Sequence, residues 1–203
     1  MIDYYETKSQ PITRLQVWEA YWKVRKNRGG MGIDNMGWEE LDRTRDKQLY
    51  KLWNRLSSGS YFPPPVKEIE IKKEDGGKRK LGIPTILDRI AQEVVRAHLD
   101  KFVEPKFHKS SYGYRKGRSQ HQAVREATRQ ALQYKWAIDM DIKGYFDTID
   151  HKLLQKAVSH YCQDKWVLMY IERWLSAGII QKDGNYIDRI TGTPQGGVIT
   201  PLT

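Results

Sequence analysis

The stretch from Trp136 to His151, W-A-I-D-M-D-I-K-G-Y-F-D-T-I-D-H, constrains this chain more than any other. Trp136, Ile138, Met140 and Ile142 alternate with Ala137, Asp139 and Asp141, so the period is two. A period of two predicts a half-buried strand with one apolar face. The opposite face ends in two carboxylates. A break follows at Lys143-Gly144, then the aromatic pair Tyr145-Phe146 and a third carboxylate, Asp147. Acids gathered at a strand end suit a hard divalent cation, which takes few protein carboxylates and completes its shell with water and phosphate. Spacing alone also suits a solvated strand face, with Asp150 capping the next helix, and favours that plainer reading.

Charge narrows the partner. The net charge is +10 and the excess is concentrated. Residues 105–135 hold eight Lys/Arg, including Lys109, Arg115, Lys116, Arg118 and Arg125, against one acid, Glu126. Tyr112, Tyr114, His108 and His121 interleave with them, as phosphate contacts beside stacking contacts require. DNA, RNA and an anionic membrane surface all answer this pattern. Cys162 is the only cysteine, which excludes an internal disulfide, and a small core residue is expected there. The start has neither a basic nor an apolar leader region, and no apolar run is long enough to span a bilayer, so a cytoplasmic protein is expected.

The remaining punctuation places the elements. Thr13 and Gln16 form a capping box ahead of a helix that stops at Gly29-Gly30. Glycine-studded residues 30–37 read as a connector more than a phosphate cradle, because the P-loop lysine and spacing are absent. A helix is expected over 38–56, and a basic-tipped hairpin over 66–83. Another helix runs from Thr85 to Pro105. Ser119 caps a helix whose Ala123, Ala127 and Ala131 face predicts close packing under the central strand. Asp150 and Asp164 cap two more helices, and a hairpin turns at Asp183-Gly184. The class is mixed α+β.

Four stretches together resemble the reverse transcriptase domain of bacterial group II intron-encoded proteins. They are R-K-L-G-I-P-T-I-L-D-R-I (79–90), S-Y-G-Y-R-K-G-R-S-Q-H-Q-A-V (111–124), D-I-K-G-Y-F-D-T-I-D-H (141–151) and G-T-P-Q-G-G-V-I-T-P-L (192–202). G-I-D-N-M-G-W (32–38) also resembles the loop that precedes the fingers in that family. The resemblance implies a right-hand polymerase: an N-terminal extension over 1–37, fingers over 38–135 and an incomplete palm over 136–203. It implies that Asp141 is the catalytic aspartate, and that Asp141 with the Ile142 carbonyl holds Mg²⁺, two ions serving the complete site. Lys73 and Arg79 would grip the triphosphate. Phe146 would exclude a ribose 2′-hydroxyl, and Gln195 and Gly196 would pack on the nucleotide. Lys109, Arg115, Lys116, Arg118 and Arg125 would bind RNA. Implied partners are intron and template RNA, a DNA primer and dNTPs, with no membrane. The alternatives are an RNA-binding maturase module without polymerase activity, or a reverse transcriptase of a retron, diversity-generating element or CRISPR locus. The family's aromatic-Ala-Asp-Asp motif does not occur in these residues, so a fragment is expected, with an exposed strand edge that invites a homodimer.

Overall fold

The computed structural model describes residues 3–72, 76–194 and 196–198. Its core is helical. α1 (Arg14–Lys26), α3 (Arg45–Ser57), α4 (Ile86–Val103), α7 (His151–Tyr161) and α8 (Lys165–Leu175) bury Tyr21, Trp53, Leu56, Ile90, Leu99, Val158, Tyr170 and Ile171 against one another. Two buried aromatic side chains find backbone partners: Trp53 Nε1 donates to Ile12 O at 3.0 Å and Tyr170 OH to Leu56 O at 2.7 Å. These bonds satisfy groups that would otherwise be costly to bury.

Local signals act as expected where the partner lies a few residues away. Thr13 with Gln16, and Ser119 with Gln122, form complete capping boxes. Asp150 caps α7 through Leu153 N at 2.8 Å. Expected helix 38–56 is split into α2 (Trp38–Arg43) and α3 at Thr44. There the hydroxyl bonds back to Glu40 O at 3.0 Å, competing with the helical ladder. Asp164 stands at the head of α8 without capping it. Its carboxylate meets His98 Nε2 at 2.6 Å instead, tying α8 to α4.

A four-stranded sheet lies beside this core, in the order β2-β1-β3-β4. β1 (Val66–Lys72) and β2 (Lys78–Ile83) form the basic hairpin, with Ile69 opposite Leu81. β3 (Ile179–Ile180) and β4 (Tyr186–Ile187) form the second. β1 and β3 run parallel, Val66 beside Ile179. The glycine loop between α1 and α2 is explained by packing. A Cβ on Gly32 would come within 2.6 Å of the Thr85 backbone, and a Cβ on Gly29 would overlap the Arg89 guanidinium. Arg89 also donates to the Gly30 carbonyl, so the loop turns a carbonyl to a cation.

The central strand is corrected. Residues 136–142 form no strand and are unpaired among the described residues, and their apolar side chains are open: Trp136 is 88% exposed, Ile138 85%, Met140 87% and Ile142 69%. Alternation shows which side chains would share a face, but a strand also needs a neighbour for its N–H and C=O groups. None of the described segments supplies one. α5 (Gln120–Ala131) forms, yet its alanine face covers nothing, with Ala127 and Ala131 exposed. None of residues 100–153 is buried.

Candidate active site

The turn after residues 136–142 is short and glycine-dependent. Gly144 sits at φ +64°, a left-handed conformation that glycine adopts readily, and opens the single-turn helix α6 (Tyr145–Thr148). Thr148 closes it, its hydroxyl donating to Gly144 O at 3.0 Å. Tyr145 and Phe146 meet edge to face with centroids 5.4 Å apart. Phe146 is half-buried.

This turn faces the basic hairpin. A cleft of about 790 Å³ lies between them, lined by Lys78, Arg79 and Lys80 on one side and by Met140, Asp141, Ile142, Phe146 and Asp147 on the other. Four of the residues singled out in the sequence, Arg79, Asp141, Ile142 and Phe146, therefore share one cavity. Ile142 O accepts only a long 3.4 Å bond from Tyr145 N–H, which leaves it able to serve another partner. With the Asp141 carboxylate it makes a set of hard oxygen donors, the chemistry Mg²⁺ prefers. On the hairpin, Lys78 pairs with Glu70 at 2.8 Å and Lys80 with Glu68 at 3.1 Å. The Lys78 ammonium holds the Glu70 carboxyl below its ordinary value.

Behind this wall lies a second cavity of about 260 Å³, which Phe146 and Asp147 also border, together with Lys80, Gly82, Arg189, Gly192 and Pro194. Burial lowers the Arg189 pKa, against the opposing pull of Asp147. Residues 191–194 and 196–198 tie these parts together. Thr193 N–H donates to Phe146 O at 2.7 Å, and Val198 N–H to Gln92 Oε1 at 2.7 Å. Gly196 has φ +116°, and a Cβ there would lie 2.8 Å from Gly82 O. Gly196 thus backs onto β2, outside the 790 Å³ cleft. Lys73 and Gln195 lie outside the described residues.

The basic stretch divides into two kinds of residue. Arg115 is engaged within the protein: its Nη2 and Nε donate to Glu104 Oε1 at 2.8 and 3.0 Å, Nε reaches Oε2 at 3.2 Å, and Nη1 donates to the carbonyls of His108 and Ser111. Arg115 in turn holds the Glu104 carboxyl below its ordinary value. Lys109, Lys116 and Arg125 are exposed or half-exposed, and no side-chain hydrogen bond or ion pair engages them among the described residues; Arg118 lies over the Tyr112 ring at 5.4 Å. Sequence counting cannot separate these roles, because the Glu104–Arg115 pair is visible only once the loop is folded. One further trio, His98, Cys162 and Asp164, gathers its ligand atoms within 4.8 Å. The 2.6 Å His98–Asp164 separation is a hydrogen bond. Two ligands of one tetrahedral ion, each about 2.0 Å from it, would sit roughly 3.3 Å apart.

A cationic hairpin facing a carboxylate, a weakly engaged carbonyl and an aromatic ring suits a protein that handles phosphorylated nucleotides. Residues 71–203 match the family described as reverse transcriptase (RNA-dependent DNA polymerase), and the chain belongs to that family. It is similar to the group II intron-encoded protein LtrA of Lactococcus lactis subsp. cremoris, 34% identical over 184 residues, covering 90% of this chain and 30% of LtrA. Protein YkfC of Escherichia coli (strain K12) is 36% identical over 176 residues, covering 84% of this chain and 46% of YkfC. Nuclear intron maturase 1, mitochondrial, of Arabidopsis thaliana is 28% identical over 109 residues, covering 50% of this chain and 15% of that protein. The chain thus spans less than half the length of each of these relatives. Among the described residues no helix is long and apolar enough to cross a membrane.

Proposed function

We propose that this chain is the fingers and part of the palm of an RNA-directed DNA polymerase encoded by a group II intron, with fingers over 38–135 and palm from 136. The observation that carries the reading is the single cleft in which Arg79 faces Asp141, Ile142 and Phe146. Asp141 and the Ile142 carbonyl would hold Mg²⁺, two ions in the complete site, and the bound metal would supply electrostatic stabilisation for nucleotidyl transfer. Arg79, with Lys73, binds the dNTP triphosphate through the forked hydrogen bonds that suit phosphate. Phe146 lies under the incoming sugar and leaves no room for a 2′-hydroxyl. The resemblance assigns nucleotide contacts to Gln195 and Gly196 as well; Gly196 backs onto β2 outside the cleft, so any contribution it makes is through the hairpin. In the full-length protein carrying this chain, Arg79→Ala raises the KM for dNTPs about tenfold, the worth of one charge-assisted contact. Single-nucleotide addition kinetics read this, and an unchanged KM removes Arg79 from the site.

RNA, as template and as the intron itself, lies along the exposed cations of 105–135. Lys109, Lys116, Arg118 and Arg125 contact phosphates, while Arg115 holds their loop in shape through Glu104. Replacing Lys116, Arg118 and Arg125 together by alanine weakens RNA binding and flattens the plot of log affinity against log salt by about 2, the slope lost with three phosphate contacts. Filter binding across a salt series measures it. An unchanged slope places the RNA elsewhere. The relative named a maturase supports a splicing role alongside polymerisation. The open segment at 136–142 supports self-association of the isolated chain.

A further inference from the structure

Phe146 forms part of the cleft wall, but its backbone is held from behind. α6, which carries it, is four residues long and too short to fix its own position. Three bonds fix it instead. Thr193 N–H donates to Phe146 O at 2.7 Å, and Gly192 N–H donates to Ile149 O at 2.9 Å. His151 Nε2 lies 2.7 Å from Gly192 O. A carbonyl can only accept, so Nε2 carries the proton. Gly192 has two reasons to be glycine. Its φ is +75°, and a Cβ there would lie 2.7 Å from the carbonyl oxygens of both Phe146 and Asp147. His151 opens α7, whose Leu154 and Val158 are buried in the core. The imidazole therefore connects the strap behind Phe146 to the rigid part of the molecule.

We propose that His151 and Gly192 are positioning residues that set how far Phe146 projects into the cleft, and so tune discrimination between deoxyribose and ribose without touching the nucleotide. The proposal rests on the reading that Phe146 faces the incoming sugar. A steric gate acts over fractions of an ångström, whereas a triphosphate grip tolerates more. Loosening the strap therefore admits ribonucleotides while leaving dNTP use nearly intact.

Two measurements decide it. In residues 1–203, amide exchange is followed at Gly192 and Thr193. In the full-length protein carrying this chain, kcat and KM are compared for dNTPs and rNTPs, with Phe146→Ala as reference. The expected result is that His151→Ala and Gly192→Ala speed Thr193 exchange about tenfold. They also lower the preference for dNTPs about tenfold, mainly through a smaller KM for rNTPs. His151→Gln keeps an N–H donor and recovers most of both effects. Unchanged exchange in His151→Ala overturns the proposal. So does faster exchange with unchanged preference, when Phe146→Ala relaxes that preference. If Phe146→Ala itself leaves the preference unchanged, the sugar reading fails, and with it the tuning role; faster exchange would then leave only a structural latch.

Discussion

Replacing Asp88 by alanine lowers the stability of the chain by about 3–5 kcal/mol, a fall in melting temperature of about 10 °C for a chain of this size. Asp88 is 1% exposed and accepts from three side chains: Gln92 on its own helix, Trp174 on α8, and Tyr61 in the segment after α3. Tyr61 OH and Trp174 Nε1 both reach Oδ1 at 2.7 Å, and Gln92 Nε2 reaches Oδ2 at 3.0 Å. Alanine leaves these three donors buried and unpaired, which costs more than the bonds themselves contribute. Asparagine sharpens the test. Its NH₂ would confront the Gln92 NH₂, and Gln92 is held from flipping because its Oε1 accepts from Val198 N–H. Asp88→Asn is therefore expected to fall between wild type and alanine, and to loosen residues 196–198. Burial raises the Asp88 pKa above its usual 3.8, against the pull of its three donors. The folded state thus holds this proton more tightly than the unfolded state. Asp88's contribution is greatest below the unfolded value and shrinks as pH rises through the folded one. Denaturant melts of wild type and Asp88→Ala across pH measure both effects. A difference under about 1 kcal/mol would show that the knot is not holding these elements together.

That knot was illegible in the sequence for a physical reason. Capping boxes at Thr13 and Ser119, the Asp150 cap and both hairpins depend on neighbours a few residues away, and local chemistry decides them. Asp88 and Gln92 carry a weaker signal, two polar residues four apart on an apolar helix face. Their partners Tyr61, Trp174 and Val198 are 27, 86 and 106 residues distant from the residue each binds. The parallel contact of β1 with β3 is equally remote. The segment at 136–142 shows the converse. Its alternation is real, but alternation describes side chains, and pairing belongs to a second segment. The same limit applies to Arg115 and Asp164. Cap position suggested that Asp164 caps a helix, and His98 holds its carboxylate instead; the charge of Arg115 gave no sign of its bond to Glu104. Arg79 is far in sequence from Asp141, Ile142 and Phe146, yet all four, singled out by their motifs, line one cleft.

The central claim is that Asp141 supplies a metal-holding carboxylate for nucleotidyl transfer. Asp141→Asn keeps the size of the side chain and removes its charge. The Asp141 side chain is exposed, and among the described residues nothing hydrogen-bonds to it, so the substitution should change stability by less than about 0.5 kcal/mol. Electrostatic stabilisation by a metal pair is worth several kcal/mol, and each 1.36 kcal/mol is about a factor of ten in rate. Loss of the carboxylate should therefore slow extension by about a thousandfold or more. The most direct measurement is primer extension with Mg²⁺ on an RNA template by the full-length protein carrying this chain, wild type beside Asp141→Asn, with melting temperatures taken on the same samples. The account predicts that extension is lost while the melting temperature is unchanged; extension by Asp141→Asn at the wild-type rate would contradict it.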